Sequence, residues 1–429
     1  MIRAQIILSL GYCNEGNATP VEIIIIGMAI IALIAIACEE ITHIDKAKST
    51  LFFGCVSWLL LYVKASTTGN SANLQASFDH NLLEIASLWL FLMATMTFVA
   101  FLNARGLISG AVLKVMPGEL SFNRLIILVA VFAVLLSMLA DNITATLVSL
   151  SVVSAFKLSD KERIKLAVLA VFAVNSGGVI LITGDVTTLM IFSDGHLSMA
   201  QLLHLLLPTL IGVLVLVVLM MRGTNRRVEA ELFRDKSQRL DVVIAILFFS
   251  TIVSTMVLNI LFSVPPVLTF LSGLSIMFLI GGFVNKYRHE IHLLEYVRKI
   301  QFDTLLFFLG ILLIVGALKE IGVLVYLTEL FFALSPELSS YLMGVSSAML
   351  DNVPLTAALL KSEPTLNITQ WLGLTYAVGV GGSLLVIGSA AGIVAMSRMK
   401  ELTFMAYARY IPRLFIAYSA GYLAVLWLS

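Results

Sequence analysis

Long apolar runs separated by short polar connections make up most of the chain. About 20 apolar residues suffice to cross a bilayer as a helix, and the runs lie at 21–38, 51–64, 84–102, 125–156, 166–192, 201–221, 241–262, 267–284, 303–318, 339–360, 371–396 and 411–428. Two of these runs carry an Asp-Asn pair near the middle, Asp141-Asn142 and Asp351-Asn352. A carboxylate at membrane depth is costly, so it normally faces a cavity, a partner or an ion. The pattern predicts an all-α polytopic membrane protein with about ten spans and a buried polar site.

Composition supports the membrane assignment and excludes several other classes. Of the 429 residues, 59% are hydrophobic and 12% are charged, and the mean hydropathy is +1.01. This is too little polar surface for a water-soluble globule. The net charge of +1 gives no basic stripe, so no nucleic-acid partner is expected. Cys13, Cys38 and Cys55 have neither disulfide nor zinc spacing, and no cofactor is expected.

The distribution of Lys and Arg predicts how the chain crosses the membrane. Basic connections face the cytoplasm, whereas the connections 65–83 and 193–200 contain no Lys or Arg and face outward. The run 125–156 has basic connections at both ends and must return to the side from which it started, as a re-entrant hairpin open to the cytoplasm. The run 339–360 is predicted to form a second hairpin that opens outward, with Lys361 as the exception to the charge rule. Both termini are predicted to lie outside, in a bacterial inner membrane.

A glycine-interrupted span follows each hairpin. Gly177-Gly178 and Gly381-Gly382 align at an offset of 204 residues, and so do Gly184 and Gly388. We therefore expect inverted repeats with two broken helices, the architecture of many secondary transporters. The predicted division is N-terminal scaffold spans (1–83), repeat 1 (84–221) with the broken helix 166–192, a cytoplasmic loop with linking spans (222–302), and repeat 2 (303–429) with the broken helix 371–396.

The hairpin tips and helix breaks also hold most of the intramembrane polar side chains. Small hard cations prefer oxygen ligands, and breaks free backbone groups that can line a cavity. No Lys or Arg lies inside a neighbouring apolar run, so no basic partner is expected for the carboxylates. A buried carboxylate can hold either a proton or a cation. The candidate ligands of Na⁺ or Li⁺ are Asp141, Asn142, Thr144, Asn175, Asp185, Thr187, Thr188, Asp351, Asn352, Ser383 and Ser389.

At these residues the sequence resembles the NhaD-type sodium/proton antiporters of the ion transporter superfamily. The resemblance covers roughly residues 84 to 428, and its main motifs are 141–146, 175–178 with 184–188, 351–354, and 381–383 with 388–392. It implies export of Na⁺ or Li⁺ in exchange for H⁺. It also implies a homodimer in which a scaffold holds a mobile transport domain, an elevator-type arrangement.

Other functions remain open from the sequence. Sodium-coupled dicarboxylate symporters of the same superfamily have Ser where this chain has Asp at both tips, and the added carboxylates would repel an anionic substrate. An arsenite exporter of that superfamily is a second alternative. An intramembrane aspartyl protease would need two adjacent carboxylates, and neither it nor a passive channel explains the duplicated hairpins.

Overall fold

The computed structural model describes residues 19–37, 45–69, 71–105, 119–222, 226–229, 239–288, 293–300, 302–349 and 352–428. Within these ranges, eight helices are long and apolar enough to cross a membrane, and two shorter apolar helices, Pro20–Ile36 and Asn142–Ser154, accompany them. The prediction of a multi-pass helical membrane protein is confirmed. In the described residues the departure from an all-α fold is a short antiparallel ribbon of β1 (Glu119–Ser121) and β2 (Arg227–Glu229).

The first half of the chain contains the N-terminal spans, the first hairpin and the first broken helix. Its helices are α1 (Pro20–Ala37), α2 (Lys46–Thr68), α3 (Ser71–Ala104), α4 (Phe122–Leu139), α5 (Asn142–Ser154), α6 (Asp160–Gly178), α7 (Val186–Ser193), α8 (Met199–Leu202) and α9 (Leu206–Met221), with a 3-10 turn at Leu203–Leu205.

The second half contains two linking spans, a helix before the second hairpin, that hairpin, the second broken helix and the C-terminal span. Its helices are α10 (Arg239–Phe262), α11 (Pro266–Arg288), α12 (Phe302–Glu320), α13 (Leu324–Phe332), α14 (Pro336–Ser347), α15 (Asn352–Lys361), α16 (Ile368–Gly381), α17 (Ala390–Arg398), α18 (Phe404–Ala408) and α19 (Ile411–Leu428), with 3-10 turns at Leu293–Lys299 and Gly382–Leu384.

The first hairpin, α4 and α5, begins and ends on the same short strand. The Phe122 N–H donates to Arg226 O (2.8 Å), just before β2, and the Lys157 N–H donates to Glu229 O (3.0 Å) at its end, so both ends of the segment lie at this strand. The chain therefore turns back at Ala140 and Asp141, between the two helices.

The second hairpin, α14 and α15, is tied at both ends to α13. Ser339 Oγ donates to Phe331 O (2.5 Å), and Thr328 Oγ1 donates to Ser362 O (2.9 Å). Lys361, at the end of α15, forms an ion pair with Glu84 of α3. This pairing offsets the charge of Lys361, the residue that is the exception in the predicted topology.

Each broken helix packs tightly against the hairpin of its own half. A Cβ on Gly177 would lie 2.4 Å from Val134 O, and one on Gly184 would lie 2.3 Å from Ser137 O. In the second half a Cβ on Gly381 would lie 2.0 Å from Gly344 O. Backbone therefore touches backbone, and glycine is needed there for close approach rather than for its backbone angles.

Helices α2 and α12 form a parallel, closely packed pair. A Cβ on Gly310 would lie 2.4 Å from Leu51 N, and Trp58 Nε1 donates to Leu313 O (2.9 Å) further along both helices. Helix α3 runs antiparallel to α12, because its Asn81 meets Gly316 while its Trp89 ring packs on Phe302.

Candidate ion site

The hairpin of each half of the molecule packs against the broken helix of the other half. Helix α5 of the first hairpin packs against α17 of the second broken helix, and α15 of the second hairpin packs against α7 of the first. Each of these helices starts at a hairpin tip or at a helix interruption. The polar residues at those starts come together between the two halves.

Two carboxylates occupy the caps of these helix starts. Asp141 Oδ1 accepts from the Thr144 N–H (2.9 Å) at the start of α5. Asp185 Oδ1 accepts from the Thr187 N–H (3.4 Å) at the start of α7, and Asp185 Oδ2 accepts from Thr187 Oγ1 (2.9 Å). Helix N-termini favour negative charge through their free N–H groups, so the sequence positions its carboxylates where the backbone partly compensates them.

Among the described residues at this site, two hydrogen bonds join side chains from opposite halves. Asn352 Nδ2 of the second hairpin donates to Asp185 Oδ2 (3.4 Å). Asn175 Nδ2 donates to Ser389 Oγ (3.1 Å), which also accepts from the Gly392 N–H (3.3 Å) at the start of α17. Both lone pairs of that hydroxyl are engaged, so in this arrangement Ser389 positions Asn175 and the helix start.

Several buried oxygens in this region have no hydrogen-bond partner. Asn175 uses its amide nitrogen for Val171 O (2.8 Å) and Ser389, which leaves Asn175 Oδ1 without a donor. The hydroxyls of Thr188 and Ser176 are also unpartnered, and all three residues are fully buried. A buried unpaired polar atom costs about 1–3 kcal/mol, so these oxygens need an explanation, and a cation ligand is one.

A cavity of about 420 Å³ opens beside these groups. Six of the eleven predicted ligands line it: Asp141, Asn142, Asn175, Asp185, Asn352 and Ser389. Thr144, Thr187, Thr188 and Ser383 are buried but are not part of its lining. Asp351 lies outside the described residues. Roles for all eleven as ion ligands remain a prediction.

Three of the predicted residues are bonded to neighbours in their own half of the chain. Thr187 is bonded to Asp185, as above. Ser383 Oγ donates to Val380 O (2.6 Å) within its own helix turn, and its carbonyl accepts from Tyr407. Asn142 Oδ1 accepts from Ser137 Oγ (2.8 Å) inside the first hairpin.

The sequence predicts no basic partner for the carboxylates, yet a basic residue shares their cavity. Lys46 lines the same cavity as Asp141 and Asp185. The apolar run begins at 51, but helix α2 begins at Lys46, because Asp45 caps it by accepting from the Ala47 N–H (2.7 Å). An Asp at a helix start is a recognisable signal, and it could have extended the predicted span by one turn.

The described residues contain no group of three or more His, Cys, Asp or Glu side chains arranged to hold a metal ion. An ion in this cavity would therefore depend on amide, hydroxyl and backbone oxygens as well as on carboxylates. Such mixed oxygen sets suit weakly bound, hard cations.

The fold and this cavity define a polytopic membrane protein with a polar chamber between two sets of broken helices, and comparison with known proteins gives its family. The citrate transporter family (CitMHS) matches residues 19–381. The Na(+)/H(+) antiporter NhaD of Alkalimonas amylolytica is 30% identical over 95% of this chain and 91% of its own length. The NhaD of Vibrio cholerae serotype O1 is 29% identical over 96% and 94%, and sodium/proton antiporter 2 of Arabidopsis thaliana is 28% identical over 92% and 97%.

The chain therefore belongs to the NhaD-type antiporter family, within the citrate transporter family. The relatives are named as transporters, so the chain is a transporter and not an enzyme. This excludes the intramembrane aspartyl protease considered as an alternative from the sequence.

Proposed function

We propose that this protein exchanges cytoplasmic Na⁺ for external H⁺, and that Li⁺ uses the same site. The observation that carries the proposal is the convergence of Asp185, Asn352 and Asn175 from different halves of the chain at one cavity, with Asn175 Oδ1 left without a donor. The names of the NhaD relatives support Na⁺ and H⁺ as the two exchanged ions. Na⁺ and Li⁺ are hard cations that share a preference for oxygen ligands.

The proposed exchange rests on competition at the carboxylates. Asp185 is only 6% exposed, and burying an ionised carboxylate carries a desolvation cost that partners in the protein offset only in part. Either a proton or a cation can remove that cost, and the two cannot do so together at one oxygen. Alternating access of this site to the two membrane faces then couples export of Na⁺ to return of H⁺ without a second pathway.

The cavity supports an inward-facing arrangement. Its lining includes Lys46, the first residue of α2, and Thr304, the third residue of α12. The basic residues beside these helix starts, Lys48 and Lys299, place them at the cytoplasmic face by the positive-inside rule. The chamber would then run from the crossing of the two halves to the cytoplasm, the side from which Na⁺ is loaded.

The proposal includes inverted repeats and an elevator-type movement. The antiparallel directions of α3 and α12, the first spans of the two repeats, support inversion. The matched contacts of Gly177 and Gly381 with their hairpins support two copies of one unit. Each broken helix would move with its hairpin as part of the transport domain. A homodimer, a bacterial inner-membrane location and external termini remain predictions of the same scheme.

Citrate or another carboxylate substrate is disfavoured by the charge of the chamber. Two of its three ionisable lining residues in the described part of the chain are acidic. An anion would meet a repulsion of several kcal/mol at low effective dielectric unless a cation accompanied it. Citrate and succinate uptake therefore form the contrasting arm of the experiment.

The proposal is tested in everted membrane vesicles with a preformed proton gradient. Addition of NaCl or LiCl should dissipate the gradient in vesicles carrying the wild-type protein, and Asp185→Asn should abolish this response at every pH tested. Asp160→Asn is the matched control, because Asp160 is exposed in the first turn of α6. Full Na⁺ response in the Asp185→Asn vesicles, or citrate uptake without any Na⁺ response in the wild type, would refute the proposal.

A further inference from the structure

Lys46 brings a positive charge to the cavity, and the proposed exchange assigns that charge no role. Lys46 lines the chamber, and its Nζ lies 4.6 Å from the ring centroid of Phe307, which lines it too. Such a cation–π contact holds an ammonium group over the aromatic face. Among the described lining residues, the ionisable ones are Lys46, Asp141 and Asp185.

Lys46 belongs to a part of the molecule separate from the hairpins. Its helix α2 is locked to α12 by close backbone contacts: a Cβ on Gly54 would lie 2.8 Å from Gly310 O, and one on Gly310 would lie 2.5 Å from the carbonyl carbon of Thr50. The ammonium is therefore fixed to the wall formed by α2 and α12, whereas Asp141 and Asp185 are carried by the hairpin and the broken helix.

The sum of these charges bears on which cations the chamber accepts. Two carboxylates with several amide and hydroxyl oxygens are a suitable ligand set for Ca²⁺ or Mg²⁺. One fixed ammonium reduces the net charge of the described lining from −2 to −1 and so lowers its attraction for a divalent ion more than for a monovalent one. The Coulomb repulsion between the ammonium and an incoming ion is twice as large for a divalent ion as for a monovalent one.

We propose that Lys46 is a specificity-determining residue that excludes divalent cations from the ion chamber. A repulsion that weakens Na⁺ binding about tenfold weakens Mg²⁺ or Ca²⁺ binding about a hundredfold, because its free energy is twice as large for a divalent ion. The ammonium thus weakens Na⁺ binding slightly and divalent binding strongly. The inference rests on the proposed function of the site but concerns selectivity rather than the exchange itself.

The experiment measures Na⁺-induced dissipation of the proton gradient in everted vesicles, with MgCl₂ or CaCl₂ added at constant ionic strength. Lys46→Gln and Lys46→Met should lower the Na⁺ concentration for half-maximal response by up to about tenfold, and should lower the divalent concentration that inhibits by about a hundredfold. Lys46→Arg keeps the charge and should keep wild-type selectivity. Lys48→Gln is the control, because Lys48 is the exposed basic residue one half-turn further along the same helix.

Two results would overturn the inference. One is unchanged divalent inhibition in Lys46→Met vesicles that still perform exchange. The other is strong inhibition of the wild-type protein by Mg²⁺, which needs no variant to fold.

Failure of the proposed function gives a different result, because it leaves the wild-type protein without any Na⁺ response. Selectivity can then still be measured on the purified protein. Thermal stabilisation by NaCl and by MgCl₂, relative to choline chloride, should differ between the wild type and Lys46→Met. Equal stabilisation of the two proteins by MgCl₂ would refute the role of Lys46.

Discussion

The close contact between Gly381 and Gly344 allows a sharp test of how the second broken helix is seated. Gly381 is the last residue of α16, and a Cβ there would lie 2.0 Å from Gly344 O, 2.5 Å from its carbonyl carbon and 2.8 Å from its Cα. All three atoms are backbone, so no side chain can rotate away. Gly381→Ala therefore forces α14 and α16 apart by about 1 Å or forces equal distortion elsewhere.

The expected cost can be worked from that displacement. Overpacking in a well-packed interior costs about 1–3 kcal/mol, and contact with backbone alone places this variant at the upper end of that range. Gly282→Ala is the matched control: a Cβ at Gly282 in α11 meets nothing within 4 Å. Replacing an open helical glycine with alanine should stabilise by about 0.5–1 kcal/mol, so the two variants should differ by about 3–4 kcal/mol.

The assay is unfolding in mixed detergent micelles, followed by circular dichroism, together with exchange in vesicles. A displacement of about 1 Å near a reacting site can cost about a hundredfold in rate. The interrupted segment that follows Gly381 continues to Ser389 and α17, so a shift at Gly381 would reach the site. We therefore expect Gly381→Ala to lose both stability and exchange, while Gly282→Ala keeps both. Equal unfolding curves and equal exchange for the two variants would show that the helices do not touch as described.

Two further predictions follow from single side chains. Thr188→Val removes a fully buried hydroxyl without a partner, so it should leave stability equal or raise it by about 1 kcal/mol while raising the Na⁺ concentration for half-maximal exchange; unchanged Na⁺ dependence would remove Thr188 from the ligand set. The hydrogen bond from Arg226 lowers the pKa of Glu162, before the span, to about 2. Its stabilising contribution, about 1 kcal/mol for a half-exposed partner, should be present above about pH 4.5 and lost as the pH falls towards 2. Unfolding curves of Glu162→Gln should lack that dependence, and an unchanged acid response would contradict the assignment.

The charge pattern of the sequence predicted much of the fold. Basic connections on both sides of 125–156 predicted a hairpin, and the structure joins both ends of that segment to β2. Glycine pairs predicted the helix breaks, and in the structure they also allow close backbone approach, the alternative explanation for such pairs. The start of the second hairpin was predicted at 339, whereas α14 begins at Pro336 after the cap Ser335. Ser followed by Pro is a helix-start signal that hydropathy alone does not register.

What the sequence could not predict is which polar groups meet. Asn175 and Ser389 are 214 positions apart and bond only because α6 and α17 cross at the chamber. Lys46 was missed for a related reason: its helix is outside both repeats, and only the packing of α2 on α12 brings it to the cavity. The division of the chain into scaffold and transport segments remains a prediction.

The way the carboxylates are held has a consequence for the proposed exchange. Asp141 and Asp185 each cap a helix start, and such an interaction stabilises a negative charge by about 0.3–1 kcal/mol, or about 2 kcal/mol in buried geometries. The desolvation cost of a buried ion is several kcal/mol, so the caps offset only part of it. The hydrogen bonds from Thr187 and Asn352 to Asp185 and the Lys46 ammonium in the same cavity supply part of the remainder, and a bound proton or a bound cation can supply more. A site whose carboxylates were fully satisfied by the protein would have no need of either, whereas one without caps would hold its proton too firmly for Na⁺ to displace. Partial compensation at both helix starts is thus the physical condition under which the two ions can replace one another.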